Sequence, residues 1–210
     1  MGVHVAQRPP TNKQADFLAA RAFTRAEVLT DPGPVPSMPG VQGWWFRTVP
    51  GAIDVSGCEQ RDGLTLLYVG ISPTAPPKNG KPPSTQDLRK RIRYHFGAGK
   101  ADAEGSTLRK TLGVLLGDEL GFKLRRIGTG DRRTFAGGEA ILNQWMADNA
   151  LVSWLVHPEP WLLEEKLIAA FDLPLNGQAS NKDNAFYPEL TRLRREAMVS
   201  ANKLRVLKEW

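Results

Sequence analysis

The sequence predicts an α+β fold: a small, largely antiparallel central sheet of three to four strands flanked by helices, with an N-terminal helical extension and a basic C-terminal helix. Three observations predict it. Short runs rich in β-branched and aromatic residues are interleaved with amphipathic segments, without the strict βαβ alternation of a parallel sheet. No internal repeat is visible, which removes solenoid and propeller architectures. A proline run, Asp31-Pro32-Gly33-Pro34-Val35-Pro36, separates an N-terminal stretch from the remainder. The expected division is an extension and linker at 1–38, a main domain at 39–187 and a basic C-terminal helix at 188–210.

In order, residues 11–30 read as one helix, with Phe17, Ala20, Phe23 and Val28 near one side. Residues 41–49 (VQGWWFRTV) are β-formers ending at Pro50-Gly51, and 64–70 (LTLLYVG) form a second strand that pairs with the first as a long-looped hairpin. A loop rich in Pro, Lys and Gly spans 72–85, after which Ser84 or Thr85 can cap a helix at 86–96. A helix at 107–120 stops at Gly121, followed by a strand at 122–127, a helix at 138–149 and a strand at 151–156. Pro160 suits the first turn of a helix at 161–171, and a basic helix runs over 189–208.

Composition removes several classes of function. No apolar run approaches the roughly 20 residues a bilayer span needs, and the first ten residues carry no hydrophobic signal core. With one cysteine, Cys58, and three scattered histidines, neither an internal disulfide nor a structural zinc cage can form, so a reducing cytoplasm is the expected compartment and no membrane partner is expected. The net charge of +6 favours an anionic partner, nucleic acid first among them. Gly97-Ala98-Gly99-Lys100 lacks the upstream glycine and the following Ser or Thr of a phosphate-binding loop, and it follows a helix. No nucleophile elbow, HExxH or paired Cys-x-x-Cys occurs, and His4 and His157 read as surface residues.

Four residues in three places are candidates for chemistry. On the helix at 161–171, Leu163, Leu167, Ile168 and Phe171 form the buried stripe, and Glu164 lies within it. A carboxylate there is either paired with an arginine or serves as a metal ligand or acid at a cleft. On the helix at 86–96, Arg91 and His95 form an i, i+4 pair beside the apolar line of Leu88, Ile92 and Phe96, which either belongs to an ordinary basic amphipathic helix or suits a phosphate that must be held and protonated or deprotonated. Arg89, Lys90 and Arg93 point outward as a solvated basic face. Tyr68 ends a strand that is otherwise aliphatic, a place where a tyrosine is usually core or rim.

In chain order, Gly40-Val41-Gln42, Tyr68-Val69-Gly70, the Leu88 to Ile92 run with His95, Leu163-Glu164 with Leu167-Ile168, and Pro174-Leu175-Asn176 resemble the GIY-YIG nuclease superfamily. The segments Gly43-Trp44-Trp45-Phe46 and 103–109 resemble a bacterial branch of it. The resemblance implies a metal-dependent endonuclease hydrolysing phosphodiester bonds in DNA. Tyr68 would be the base or orienter of the attacking water, Arg91 the phosphate clamp, and His95 an assistant at the same phosphate. Glu164 would hold one Mg²⁺ (or Mn²⁺), and Asn176 would brace the site. Gln42, Lys78, Lys81, Arg89, Arg93, Arg109, Arg194 and Arg195 are expected to contact nucleic acid. Two departures stand out. Gln42 replaces the first motif tyrosine and cannot act as a phenol, and Ile71-Ser72 stand where a lysine is often found, so that Lys78 or Lys81 would substitute. The implied partner is duplex or branched DNA, with RNA also open. The alternative is a non-catalytic nucleic-acid-binding module on the same fold.

Overall fold

The structure is a computed structural model that describes residues 12–208 apart from 78, 80 and 83, so His4 and Lys78 lie outside the described residues. Helix α1 (Asn12–Ala19), strand β1 (Phe23–Thr24) and helix α2 (Arg25–Leu29) are followed by β2 (Gly40–Phe46), β3 (Gln60–Arg61) and β4 (Leu64–Ser72). Then come α3 (Leu88–His95), α4 (Thr107–Leu120), β5 (Arg125–Ile127), β6 (Arg132–Thr134), α5 (Gly138–Asn149) and β7 (Ala150–Val156). Helix α6 (Pro160–Ala170), a 3₁₀ turn (Ala179–Asn181) and α7 (Tyr187–Lys203) complete the chain. The expected α+β class holds, with five antiparallel strands in the main sheet, ordered β1-β7-β2-β4-β3, where three to four were expected.

The two extra strands come from segments that read as helix and turn. Thr24 caps α2 with a reciprocal Thr24–Glu27 capping box, so the single expected helix at 11–30 breaks. Phe23 and Thr24 then pair with Val152 and Leu151 on β7, stitching the extension into the sheet edge. Asp62 and Gly63, both at positive φ (50° and 72°), make a two-residue turn that joins β3 to β4.

Strand β2 is buried along its whole length, so it shows no alternation of polar and apolar residues. One face of the sheet, with Trp44, Phe46, Leu67 and Tyr68, packs on Leu88, Ile92 and Phe96 of α3 and on Leu108, Leu112 and Leu116 of α4. The other face, with Val41, Trp45, Leu66 and Val69, packs on Phe17 of α1 and on Leu163, Leu167 and Ile168 of α6. A bulge in β4 decides which face Tyr68 takes. Trp45 pairs with Leu66, but Trp44 pairs with Tyr68, so Leu67 is the extra residue and Tyr68 shares the face of Trp44.

Among the expected elements that come out shorter, two change the surroundings of the C-terminus. The strand at 122–127 begins only at Arg125 and pairs with β6 in a separate two-stranded sheet. Helix α7 ends at Lys203, and the following residues run along β5, with Leu207 N donating to Arg126 O (2.9 Å) and Gly128 N to Leu207 O (2.8 Å). Arg205 and Lys208 are therefore off the helix. Among the described residues no helix is long and apolar enough to cross a membrane.

Candidate active site

Beyond Thr65 the outer edge of β4 has no strand partner among the described residues; Leu66 N donates to Glu59 O (2.9 Å), and from Leu67 onward residues after α6 satisfy the edge. Leu175 N donates to Leu67 O (3.1 Å). The Asn176 side chain then acts as a strand residue would: Val69 N donates to its Oδ1 (2.9 Å), and its Nδ2 donates to Val69 O (2.8 Å). Asn176 is fully buried, and its amide fixes the backbone next to Tyr68. Asn181, which the sequence did not bring out, holds this turn by donating from Nδ2 to Leu173 O (2.9 Å) and Asn176 O (2.8 Å).

Tyr68 lies over Gly70. A Cβ on that glycine would sit 2.9 Å from Tyr68 Cε1, 3.4 Å from Tyr68 Oη and 3.3 Å from Gln42 Nε2, so only glycine leaves the ring and the amide in place. Gln42, paired with Gly70 across the sheet, is fully buried, and neither atom of its amide has a partner among the described residues. Expected as a nucleic-acid contact, it lies instead beneath the surface at Tyr68, because β2 is the central strand.

Charges from three helices surround the phenol. Burial pushes Tyr68 up to about 12; Arg91 and Arg194 act in the opposite direction, and Glu164 reinforces the rise. Arg91 is steadied by a hydrogen bond from Nη1 to Gly105 O (2.9 Å). Glu164 is half-buried beside Leu163 on α6, and burial pushes its carboxyl up to about 7, offset in part by a hydrogen bond from Gln178. The phenol of Tyr68 on β4 thus feels both Arg91 of α3 and Glu164 of α6.

A raised carboxyl pKa means that the folded state favours the protonated form. This contribution to stability is full below about 4.5 and is lost as pH rises through about 7. Glu164→Gln, which keeps the shape without the charge, is expected to melt higher than the parent at pH 8. The gap should close at acidic pH, and thermal melts across that range measure it. A constant gap would mean that Glu164 is not desolvated.

Other expected residues are placed differently. His95 is fully buried, with Nδ1 2.7 Å from Ser106 Oγ and its ring edge-on to Trp44 (centroids 5.4 Å apart). Burial holds its pKa well below the usual histidine value, with Arg91 and Arg109 adding to the effect, so it is neutral and joins α3 to the start of α4. Arg109, expected on the nucleic-acid surface, is fully buried and paired with Glu139 at 2.5 Å, and its Nη1 donates to His95 O (3.1 Å) and Asn143 Oδ1 (2.7 Å). Its charge is spent inside the core. Arg89 and Arg93 are not a bare basic face either. Arg89 Nε donates to Val35 O (2.7 Å), and Arg93 Nη1 to Val28 O (3.2 Å) and Thr30 O (3.4 Å), tying α3 to the N-terminal extension. Lys81 and Arg195 are exposed, whereas Arg194 turns inward.

The family profile described as the GIY-YIG catalytic domain matches residues 40–196. The chain therefore belongs to the GIY-YIG family, whose domain is a nuclease module. No curated protein and no solved structure matches it.

Proposed function

We propose that this chain is a metal-dependent endonuclease that hydrolyses phosphodiester bonds in DNA, duplex or branched. The observation that carries the reading is that Arg91 of α3 and Glu164 of α6 both act on the buried phenol of Tyr68 on β4. Phosphodiester hydrolysis needs a held phosphate, an aligned water and neutralisation of developing charge more than it needs a strong nucleophile on the protein.

Arg91 binds the non-bridging oxygens of the scissile phosphate; its bond to Gly105 O fixes the guanidinium while leaving other N–H groups free. With its pKa near 12, Tyr68 is a protonated phenol at neutral pH, so its oxygen orients the attacking water in the ground state. Asn176 keeps that phenol in register through Val69. His95, neutral and bonded to Ser106, positions the helix that bears Arg91.

Glu164 is the residue that would hold the metal ion. Among the described residues no group of three or more His, Cys, Asp or Glu side chains converges, so the donor set fits a hydrated Mg²⁺ or Mn²⁺ held by one carboxylate. Such an ion, when bound, supplies charge neutralisation at the phosphate and the leaving oxygen. Lys81 and Arg195 extend the contact along the DNA backbone. A non-catalytic binding module would leave a desolvated Glu164 beside the phenol without a role.

The test compares two arginines on one helix. Arg91→Ala is expected to lower the DNA cleavage rate by about 10²-fold or more, with the dissociation constant changed only a few-fold. Arg89→Ala, which frees Val35 O, should instead speed proteolysis around residues 28–35 and affect cleavage less. Equal losses of cleavage and binding from both would favour a simple basic face.

A further inference from the structure

We infer that α7 supplies the site with a second phosphate-binding guanidinium, that of Arg194, acting together with Arg91; this rests on the nuclease reading above. Of the three arginines close together on this helix, only Arg194 turns inward. Arg192 is held by Glu189 (2.7 Å) and Glu196 (2.6 Å), and Arg195 is exposed. Arg194 stands one turn after the fully buried Leu190, so it projects on the side by which the helix docks.

Its tip is located by a glycine. A Cβ on Gly177 would overlap Arg194 Nη1 and would lie 3.5 Å from Leu190 Cδ2. Gly177 directly follows Asn176, whose amide is bonded to Val69, the residue after Tyr68. The guanidinium is thereby delivered to the edge of β4 where the phenol sits. Absence of a side chain at 177 is what lets it through.

Among the described residues nothing accepts its hydrogen bonds. Among the described residues Arg194 makes no hydrogen bond and no ion pair, although it is half-buried. The groups it feels are the phenols Tyr68 and Tyr187, and no carboxylate compensates for its loss of water. A structural arginine in such a place is paired, as Arg109 is with Glu139. A guanidinium with free donors that acts on the same phenol as Arg91 fits a phosphodiester anion, whose two non-bridging oxygens can each be taken by one arginine.

The experiment measures cleavage rate with Mg²⁺, DNA dissociation constant in EDTA and melting temperature on one duplex substrate. It uses the full chain and the variants Arg194→Ala, Gly177→Ala, the double variant, and Arg192→Ala. Arg194→Ala and Gly177→Ala, which displaces the guanidinium without removing it, should each slow cleavage by about 10²-fold. Both should melt as the parent does and bind DNA within a few-fold. The double variant should be no slower than Arg194→Ala alone, because both changes remove the same contact. Arg192→Ala takes the same charge from the same helix and should leave cleavage unchanged. The inference is overturned if Arg194→Ala cleaves like the parent, if the two single effects multiply, or if Arg192→Ala slows cleavage equally. Glu164→Gln on the same substrate separates the two levels. If the parent cleaves, Glu164→Gln is slowed and Arg194→Ala keeps the parental rate, only the role of Arg194 falls; if the parent cleaves no DNA with Mg²⁺, the nuclease reading falls and Arg194 with it.

Discussion

Glu164→Gln is expected to slow DNA cleavage by a factor on the order of 10³, since losing a metal ion's charge stabilisation costs several kcal/mol of the barrier and each 1.36 kcal/mol is tenfold. The amide is isosteric and sits among the same buried neighbours, Leu163, Leu167 and Ile168, so the fold should persist. The loss should appear in single-turnover rates, with DNA binding in EDTA little changed. A second readout needs no DNA. At pH 8, MgCl₂ should raise the melting temperature of the parent, because an ion held by ionised Glu164 stabilises the folded state, and should leave that of Glu164→Gln where it was. Cleavage by Glu164→Gln at the parental rate would remove the carboxylate from the chemistry.

Arg109→Ala is expected to destabilise the fold by about 3–5 kcal/mol, the usual cost of breaking a buried ion pair from one side. The consequences extend beyond the pair. Glu139 Oε1 also accepts from Ala103 N (2.8 Å) and Phe135 N (3.1 Å), and Arg109 holds His95 O and Asn143, so the charge left behind sits at the junction of α3, α4 and α5. Against a total stability of roughly 5–15 kcal/mol, that is a large share. Denaturant titration measures it. Arg109→Met combined with Glu139→Gln should recover part of the loss, because no buried charge then remains unpaired. Unchanged stability with weakened DNA binding would instead place Arg109 at the surface.

Arg109 illustrates where the sequence stops being legible. In the run TLRKTLGVLLGDEL an arginine next to Leu108 reads as a solvated charge, and the acid that neutralises it lies 30 residues away on another helix. The side of the sheet that Tyr68 occupies was equally hidden. LTLLYVG has no period-2 pattern, and the bulge at Leu67 that turns the phenol toward α3 leaves no mark in composition. The fold class was legible because β2, β4 and β7 are dense in β-formers and α3, α4 and α6 carry apolar lines at helical spacing. β1 and β3 were not, since strands of two residues have no period to read; their cues were the Thr24–Glu27 capping box and the Asp62-Gly63 turn. Tyr68, Arg91 and Glu164 were identifiable one by one from their places on a strand end and two helices. Their common meeting point is a product of packing, as is the inward turn of Arg194.

The most direct measurement incubates the purified chain with supercoiled plasmid and with a branched duplex, with and without Mg²⁺, alongside Tyr68→Phe. Nicking or cutting of at least one substrate that appears only with the metal, and that falls by about 10²-fold or more when the phenol oxygen is removed, is the result predicted. Metal-independent cutting, cutting that Tyr68→Phe leaves intact, or binding without any cleavage would contradict it.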